Sequence, residues 1–79
     1  MKLRVKLGSA LPDKFPGYDS RQGLDIDIAD DATVQDLLDY LRLTESDKCA
    51  IAIEGRIVKG NYKLKGTTSL SIFQVAHGG

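Results

Sequence analysis

One cysteine, two prolines, one histidine, one methionine and no tryptophan are all that 79 residues provide of the types that staple, kink or ligate. A lone Cys49 cannot build a disulfide framework. Packing must therefore hold the fold, in a chain suited to a reducing, cytoplasmic compartment. No apolar run approaches the roughly 18 residues of a membrane span, and Met1-Lys2-Leu3-Arg4 does not open like a signal peptide. No set of His, Cys or carboxylate residues has metal-ligand spacing. No serine or cysteine stands beside a plausible base, so autonomous catalysis is not expected. Gly55-Arg56-Ile57-Val58-Lys59-Gly60 has the glycine spacing of a phosphate loop, but Asn61-Tyr62 stands where Lys-Ser/Thr is needed. Eleven basic and eleven acidic residues leave no net charge to recruit nucleic acid or membrane.

At 42% hydrophobic and 28% charged, the composition is that of a globular chain. Its length suits one domain with a modest core, since a domain this small buries only about 60% of its unfolded surface. The neutral balance hides an uneven distribution. Residues 1–24 carry a net +3, residues 25–47 a net −7, and residues 48–79 a net +4. An acidic middle lies between two basic flanks, so the folded molecule should have a basic and an acidic face.

Lys2-Leu3-Arg4-Val5-Lys6-Leu7 alternates charge and apolar side chains, the pattern of a strand with one wet face. Leu3, Val5 and Leu7 point one way. Residues 8–23 contain Gly8, Pro12, Pro16, Gly17 and Gly23 and show little periodicity. They read as a loop, long enough to be either functional or partly mobile. Leu24-Asp25-Ile26-Asp27-Ile28 alternates again as a second strand. Then the period changes: Val34, Leu37, Leu38 and Leu41 make one helical stripe, running to about Arg42 or Leu43. Thr33 is a natural N-cap, with Asp36 completing a capping box. Cys49 to Glu54 is a third strand, Gly55 a turn, Ile57-Val58 a short return strand, and Ser69 to Val75 the last strand. Gly60-Asn61 and Gly66-Thr67-Thr68 read as further turns.

This order predicts an α+β fold, a mixed sheet of four to five strands with one main helix packed on one face. If the first and last strands are central neighbours, they pair in parallel as in a β-grasp (ubiquitin-like) fold; periodicity alone leaves that pairing open. The expected organisation is a β-grasp domain over residues 1–77 with the long loop 8–23, followed by a flexible tail, Gly78-Gly79.

The tail carries the most chemistry. Two glycines at a chain end have no side chain to bury, yet they suit chemistry on a terminal carboxylate. Glycine threads a narrow cleft and accepts whatever backbone angles the cleft imposes. With the strand Leu3-Arg4-Val5-Lys6-Leu7, the helix entry Ala32 to Leu38, the segment Ala50 to Val58 and the ending Leu70 to Gly79, the chain resembles the MoaD/ThiS family of ubiquitin-like sulfur carriers. The resemblance implies that the carboxylate of Gly79, presented with Gly78, is adenylated and then converted to a thiocarboxylate. The thiocarboxylate would donate sulfur in building molybdopterin or the thiazole of thiamine. It further implies a carrier that is not itself an enzyme, binds no cofactor or metal, and is a monomer when free. ATP and magnesium would be used by an adenylating partner of the MoeB/ThiF type. The sulfur would pass to a synthase subunit, MoaE-like or thiazole-synthase-like.

By the same resemblance, an apolar patch on the exposed sheet face beside the tail meets the activating enzyme. The matching positions are Phe73, Ile57 and Leu7, with Val75 and His77 near the tail; core packing is the competing role for Leu7 and Ile57. Phe73 is the strongest anchor, because alternation from Leu70 and Ile72 turns it away from the helix. Lys2, Arg4 and Arg56 would flank the patch and steer an acidic partner. Phe15 and Tyr18 either reach a partner or pin the long loop, and Cys49 reads as an inert buried thiol. Gln74-Val75 stands where the molybdopterin branch often has Pro-Pro, Gly66-Thr67 where Gly-Asp is common, and His77 replaces a small residue. The recipient pathway therefore stays open. So do two other uses: a modifier joined to lysines through Gly79, and a non-reactive β-grasp binding module.

Overall fold

The alternation of Lys2–Leu7 becomes strand β1, with its three apolar side chains buried and its three basic ones exposed. In the computed structural model, which describes residues 1–44, 48–65 and 69–75, four more strands follow. These are β2 (Leu24–Asp27), β3 (Cys49–Ile53), β4 (Arg56–Val58) and β5 (Ser69–Gln74), with one helix, α1 (Val34–Tyr40), between β2 and β3. The sheet order is β2-β1-β5-β3-β4, and the central pair β1–β5 is parallel while its other pairings are antiparallel. This is the mixed five-stranded β-grasp arrangement. The core lies on one face of the sheet, where Val5, Leu70, Ile72, Ile51, Val34 and Leu37 are almost wholly buried.

A seven-residue helix is too short to be stable alone, so its ends and its buried face must hold it. Both ends are anchored. At the N-terminus, Asp36 N–H donates to Thr33 Oγ1 at 3.3 Å, and Thr33 N–H donates to Asp36 Oδ2 at 2.9 Å, the expected capping box. Val34 N–H and Gln35 N–H, which a bare helix start would leave orphaned, donate to the carbonyls of Tyr62 and Gly60, each at 2.9 Å. The segment after β4 is thus fastened beneath the helix, and its Leu64 is buried with the core.

The helix stops at Tyr40, earlier than the apolar stripe suggests, because Arg42 enters the left-handed region at φ 60. Arg42 N–H bonds to Asp39 O and Leu43 N–H to Leu38 O, which closes the helix as a Schellman motif with Leu43 buried behind it. Glu54 (φ 52) and Gly55 (φ 80) both have positive φ, as a two-residue type I′ hairpin between β3 and β4 requires.

The long segment 8–23 is pinned to the body. A 3-10 turn, Leu11–Lys14, places Leu11 wholly inside the core. Phe15 and Tyr18 pack against the core's edge, and Leu7 N–H donates to the Tyr18 hydroxyl oxygen at 2.9 Å. Of the two roles open to these aromatics, the structure shows the pinning one. Gly23 has φ 78, and a Cβ there would lie 2.7 Å from Val5 O, so the return into β2 requires glycine. Among the described residues no helix is long and apolar enough to cross a membrane. The predicted turn at Gly66-Thr67-Thr68 lies outside the described residues.

Asp30 holds the start of β1 in place. It accepts a hydrogen bond at 2.8 Å from the Met1 ammonium, which also donates to Ile28 O at 2.6 Å. The Asp30 hydrogen bond, and then its charge and that of Asp27, raise the ammonium above its ordinary 8.0, while the ammonium draws Asp30 below 3.8. The ammonium's share of stability is complete below about pH 8 and lost as pH rises through its raised value; the carboxylate's share is lost as pH falls below about 4. The expected outcome is a fall in the urea midpoint as pH rises above 8 that is reduced in Asp30→Asn. A second expectation concerns strain: Arg42→Gly should raise stability by about 0.5–1 kcal/mol, read as a higher urea midpoint at unchanged slope.

Candidate functional site

Because the core occupies one face of the sheet, the register fixes what stands on the other. One row crosses the sheet as Ile57 (β4), Ala52 (β3), Ser71 (β5) and Lys6 (β1). The next row sets Ala50 beside Phe73, and on β5's other flank lies Gly8, where an added Cβ would sit 3.3 Å from Phe73 Cβ. A third row runs Ser69, Arg4, Asp25, and Lys2 lies across from Asp27.

The face is therefore zoned. Its β3–β4 side is apolar and shallow, with alanine floor positions between a protruding Ile57, 68% exposed, and a half-buried Phe73. Its β1 side is basic. Arg4 Nε is 3.1 Å from Asp25 Oδ1, which offsets one of the three charges. Lys6 faces only Ser71 across its strand pair, so it is the cation nearest the apolar zone that lacks a facing carboxylate. These ion pairs are exposed and contribute tenths of a kcal/mol; their value lies in the field they present to a partner.

Leu7, expected on this face, is not there. It is 8% exposed and points into the core with Leu3 and Val5. The alternation that puts Lys2, Arg4 and Lys6 outward obliges Leu7 inward. Arg56 is also displaced from the expected position. It pairs with the buried Ile53 in the β3–β4 hairpin, so it projects on the helix side of the sheet and cannot flank Ile57 and Phe73. Gly8 and Lys6 take part in the face although sequence reading did not select them. The signal for Lys6 was present in the β1 alternation, and that for Gly8 only in the parallel register.

The tail's root is fixed next to this face. Val75, half-buried, donates its N–H to Lys48 O at 2.8 Å, and the Ser9 hydroxyl donates to Gln74 O at 3.4 Å. Residues 8–9 and Lys48 thus hold the end of β5 from two sides. His77, Gly78 and Gly79 lie outside the described residues. Cys49 is half-buried on the helix side of β3, in no disulfide. Among the described residues no group of three or more His, Cys, Asp or Glu side chains could hold a metal ion.

This fold and end geometry can be set beside known proteins. No curated protein matches the chain in sequence. Among solved structures, SAMP1 from Haloferax volcanii superposes with a TM-score of 0.75 at 19% identity, over 100% of both chains. The Pyrococcus furiosus protein assigned as molybdopterin converting factor, subunit 1, gives 0.74 at 20% identity, covering 96% of this chain and 99% of its own. A second structure of the H. volcanii protein, small archaeal modifier protein 1, gives 0.74 at 19% identity, covering 95% and 98%. Such identities establish the shared fold. The sequence pattern of the ThiS family matches residues 16–79, which runs from the long loop through every later strand to the glycine pair, and the chain belongs to the ThiS family of MoaD/ThiS-like ubiquitin-fold proteins.

Proposed function

We propose that this protein is a sulfur carrier. Its Gly79 carboxylate attacks the α-phosphate of ATP in a partner enzyme, releasing pyrophosphate. Hydrosulfide then attacks the acyl carbon and displaces AMP, leaving a thiocarboxylate and a proton. A free carboxylate is a poor acceptor until AMP becomes its leaving group, and the thiocarboxylate so formed is a competent nucleophile for the next enzyme. ATP and magnesium belong to the activating partner, of the MoeB/ThiF type. The sulfur acceptor is a synthase subunit of the MoaE or thiazole-synthase kind, so the product is molybdopterin or the thiamine thiazole. The chain contributes an address and a tail rather than a catalytic apparatus.

The observation that carries this reading is the apolar zone of the open face, Ile57, Ala52, Ala50 and Phe73, beside a tail root held at Lys48 and Ser9. An exposed aliphatic side chain and an aromatic one on a rigid sheet make a suitable anchor for a docking enzyme. The fixed root lets only the last few residues enter its cleft. Gly8 leaves the flank of Phe73 open to that partner. The likeness to small archaeal modifier protein 1 supports a second reading, conjugation of Gly79 to protein lysines. Both uses begin with the same adenylate.

Phe73→Asp should lower adenylation by an activating partner by roughly 30-fold or more, the scale of a lost aromatic anchor, with unchanged circular dichroism. Adenylation at the unmodified rate would overturn the docking role of the face. Protein purified from its own cells should show a mass gain matching one oxygen replaced by sulfur, localised to Gly79 and absent after Gly79 deletion. Lysine-linked ladders with a tagged chain, in place of that gain, would select the modifier.

A further inference from the structure

We propose that the edge built from β4 and residues 59–65 is a second docking surface. Its occupant is an extended acidic segment of another protein, with carboxylates at alternate positions. Arg56, Lys59, Lys63 and Lys65 are all exposed along this edge. Among the described residues Arg56, Lys59, Lys63 and Lys65 have no carboxylate partner, as Lys6 on the open face has none, whereas the Met1 ammonium, Arg4 and Arg21 each pair with at least one. Arg56 and Lys65 line a cleft of about 350 Å³ together with Tyr62, Glu54, Ile53 and Val58. Glu54 is the one carboxylate there. The cleft thus pairs an excess of positive charge with an aromatic and an aliphatic surface.

The spacing favours an extended occupant. Lys63 is bridged to Thr33 in antiparallel fashion, and Leu64 between the two lysines is buried, its N–H donated to Ala32 O. Lys63 and Lys65 therefore leave the same side of an extended stretch, roughly 7 Å apart along the chain, which is the repeat of alternate side chains on a strand. Nucleic acid is a poorer fit, because Tyr62 is the one aromatic side chain lining the cleft and makes no stacking platform by itself. A second copy is a poorer fit, because its alternating carboxylates Asp25 and Asp27 already face Arg4 and the Met1 ammonium.

The cleft lined by Arg56 and Lys65 is separate from the open face and from the end of β5, with Lys59 nearer Lys48, and it does not depend on how Gly79 is used. Arg56 projects from the helix side of the sheet and Ile57 from the other. The hairpin end of β3 pairs Ile53 with Leu70, whereas its other end pairs Cys49 with Gln74, roughly 13 Å away along the strand. An acidic partner could thus remain bound while an activating enzyme holds the tail.

The test is a titration of the isotope-labelled full chain with a ten-residue peptide of alternating glutamate and threonine, followed by amide NMR shifts. The expected result is saturable shifts centred on Arg56–Val58 and Tyr62–Lys65, largely lost at 1 M salt. Arg56→Glu with Lys65→Glu should weaken binding by roughly tenfold or more, while Lys2→Glu with Lys6→Glu leaves it unchanged. No saturable binding, shifts centred on β1 and the open face, or equal binding by a ten-nucleotide thymidine strand would each overturn the proposal. So would concentration-dependent shifts of these same amides in the protein alone, which would make a second copy the occupant.

Discussion

The parallel pairing of β1 with β5 is the contact on which the rest of the structure depends. It joins the first six-residue strand to the last, with Val5 beside Leu70 and Leu7 beside Ile72 at the centre of the core. Parallel strands cannot be joined by a tight turn, so everything between them must form the crossover. Here that crossover contains a hairpin return, a helix and two further strands. Because the pairing is central, β2 and β3 add to its two sides, and the helix has one apolar face to cover. The same pairing places the end of β5 next to the end of β1, so Gly8 and Ser9 come to lie against Phe73 and Gln74.

From that pairing follows a division of labour between the two faces of the sheet. The covered face holds the aliphatic core and specifies the fold. Among the described residues the single α-helix packs on the covered face, so the open face carries no helix. Ile57 there is 68% exposed, so it adds little to the core and is open to contact with something else. The basic side chains of β1 keep the rest of the face wet and blunt its tendency to pair with other sheets. A surface that is apolar at one side and basic at the other sets an orientation for whatever docks, not only an affinity.

The helix is the other economy. Seven residues bury few side chains, yet they are held at both ends by bonds to the loops rather than by length. The carbonyls of Gly60 and Tyr62 fill the donors that a helix start exposes, which ties the 59–65 segment in place and presents its lysines outward. A local requirement of helix chemistry thereby shapes a charged surface along the β4 side of the sheet.

Much of this was legible in the residues. The alternation of Lys2–Leu7 and Leu24–Asp27, the stripe from Val34 to Leu41 and the Thr33–Asp36 box are patterns whose causes lie within a few residues, and the structure reproduces them. Phe73 could be turned outward by counting from Leu70 and Ile72. Leu7 shows the limit of reading by resemblance: alternation alone put it inside, and alternation was right. Leu11 and Leu64 gave no signal, because a buried side chain in an aperiodic segment has no neighbours in sequence that share its face. The early helix stop depended on Arg42 adopting a left-handed conformation, which its residue type disfavours and the packing of Leu43 compels. By itself the sequence determined the strands and the start of the helix, since those choices are made by short-range periodicity and capping. Only the tertiary structure decided that Arg56 leaves the open face, that Gly8 lies against Phe73, and that Arg56 and Lys65 line one cleft. Register and strand order bring together residues far apart in the chain, and no local pattern encodes them.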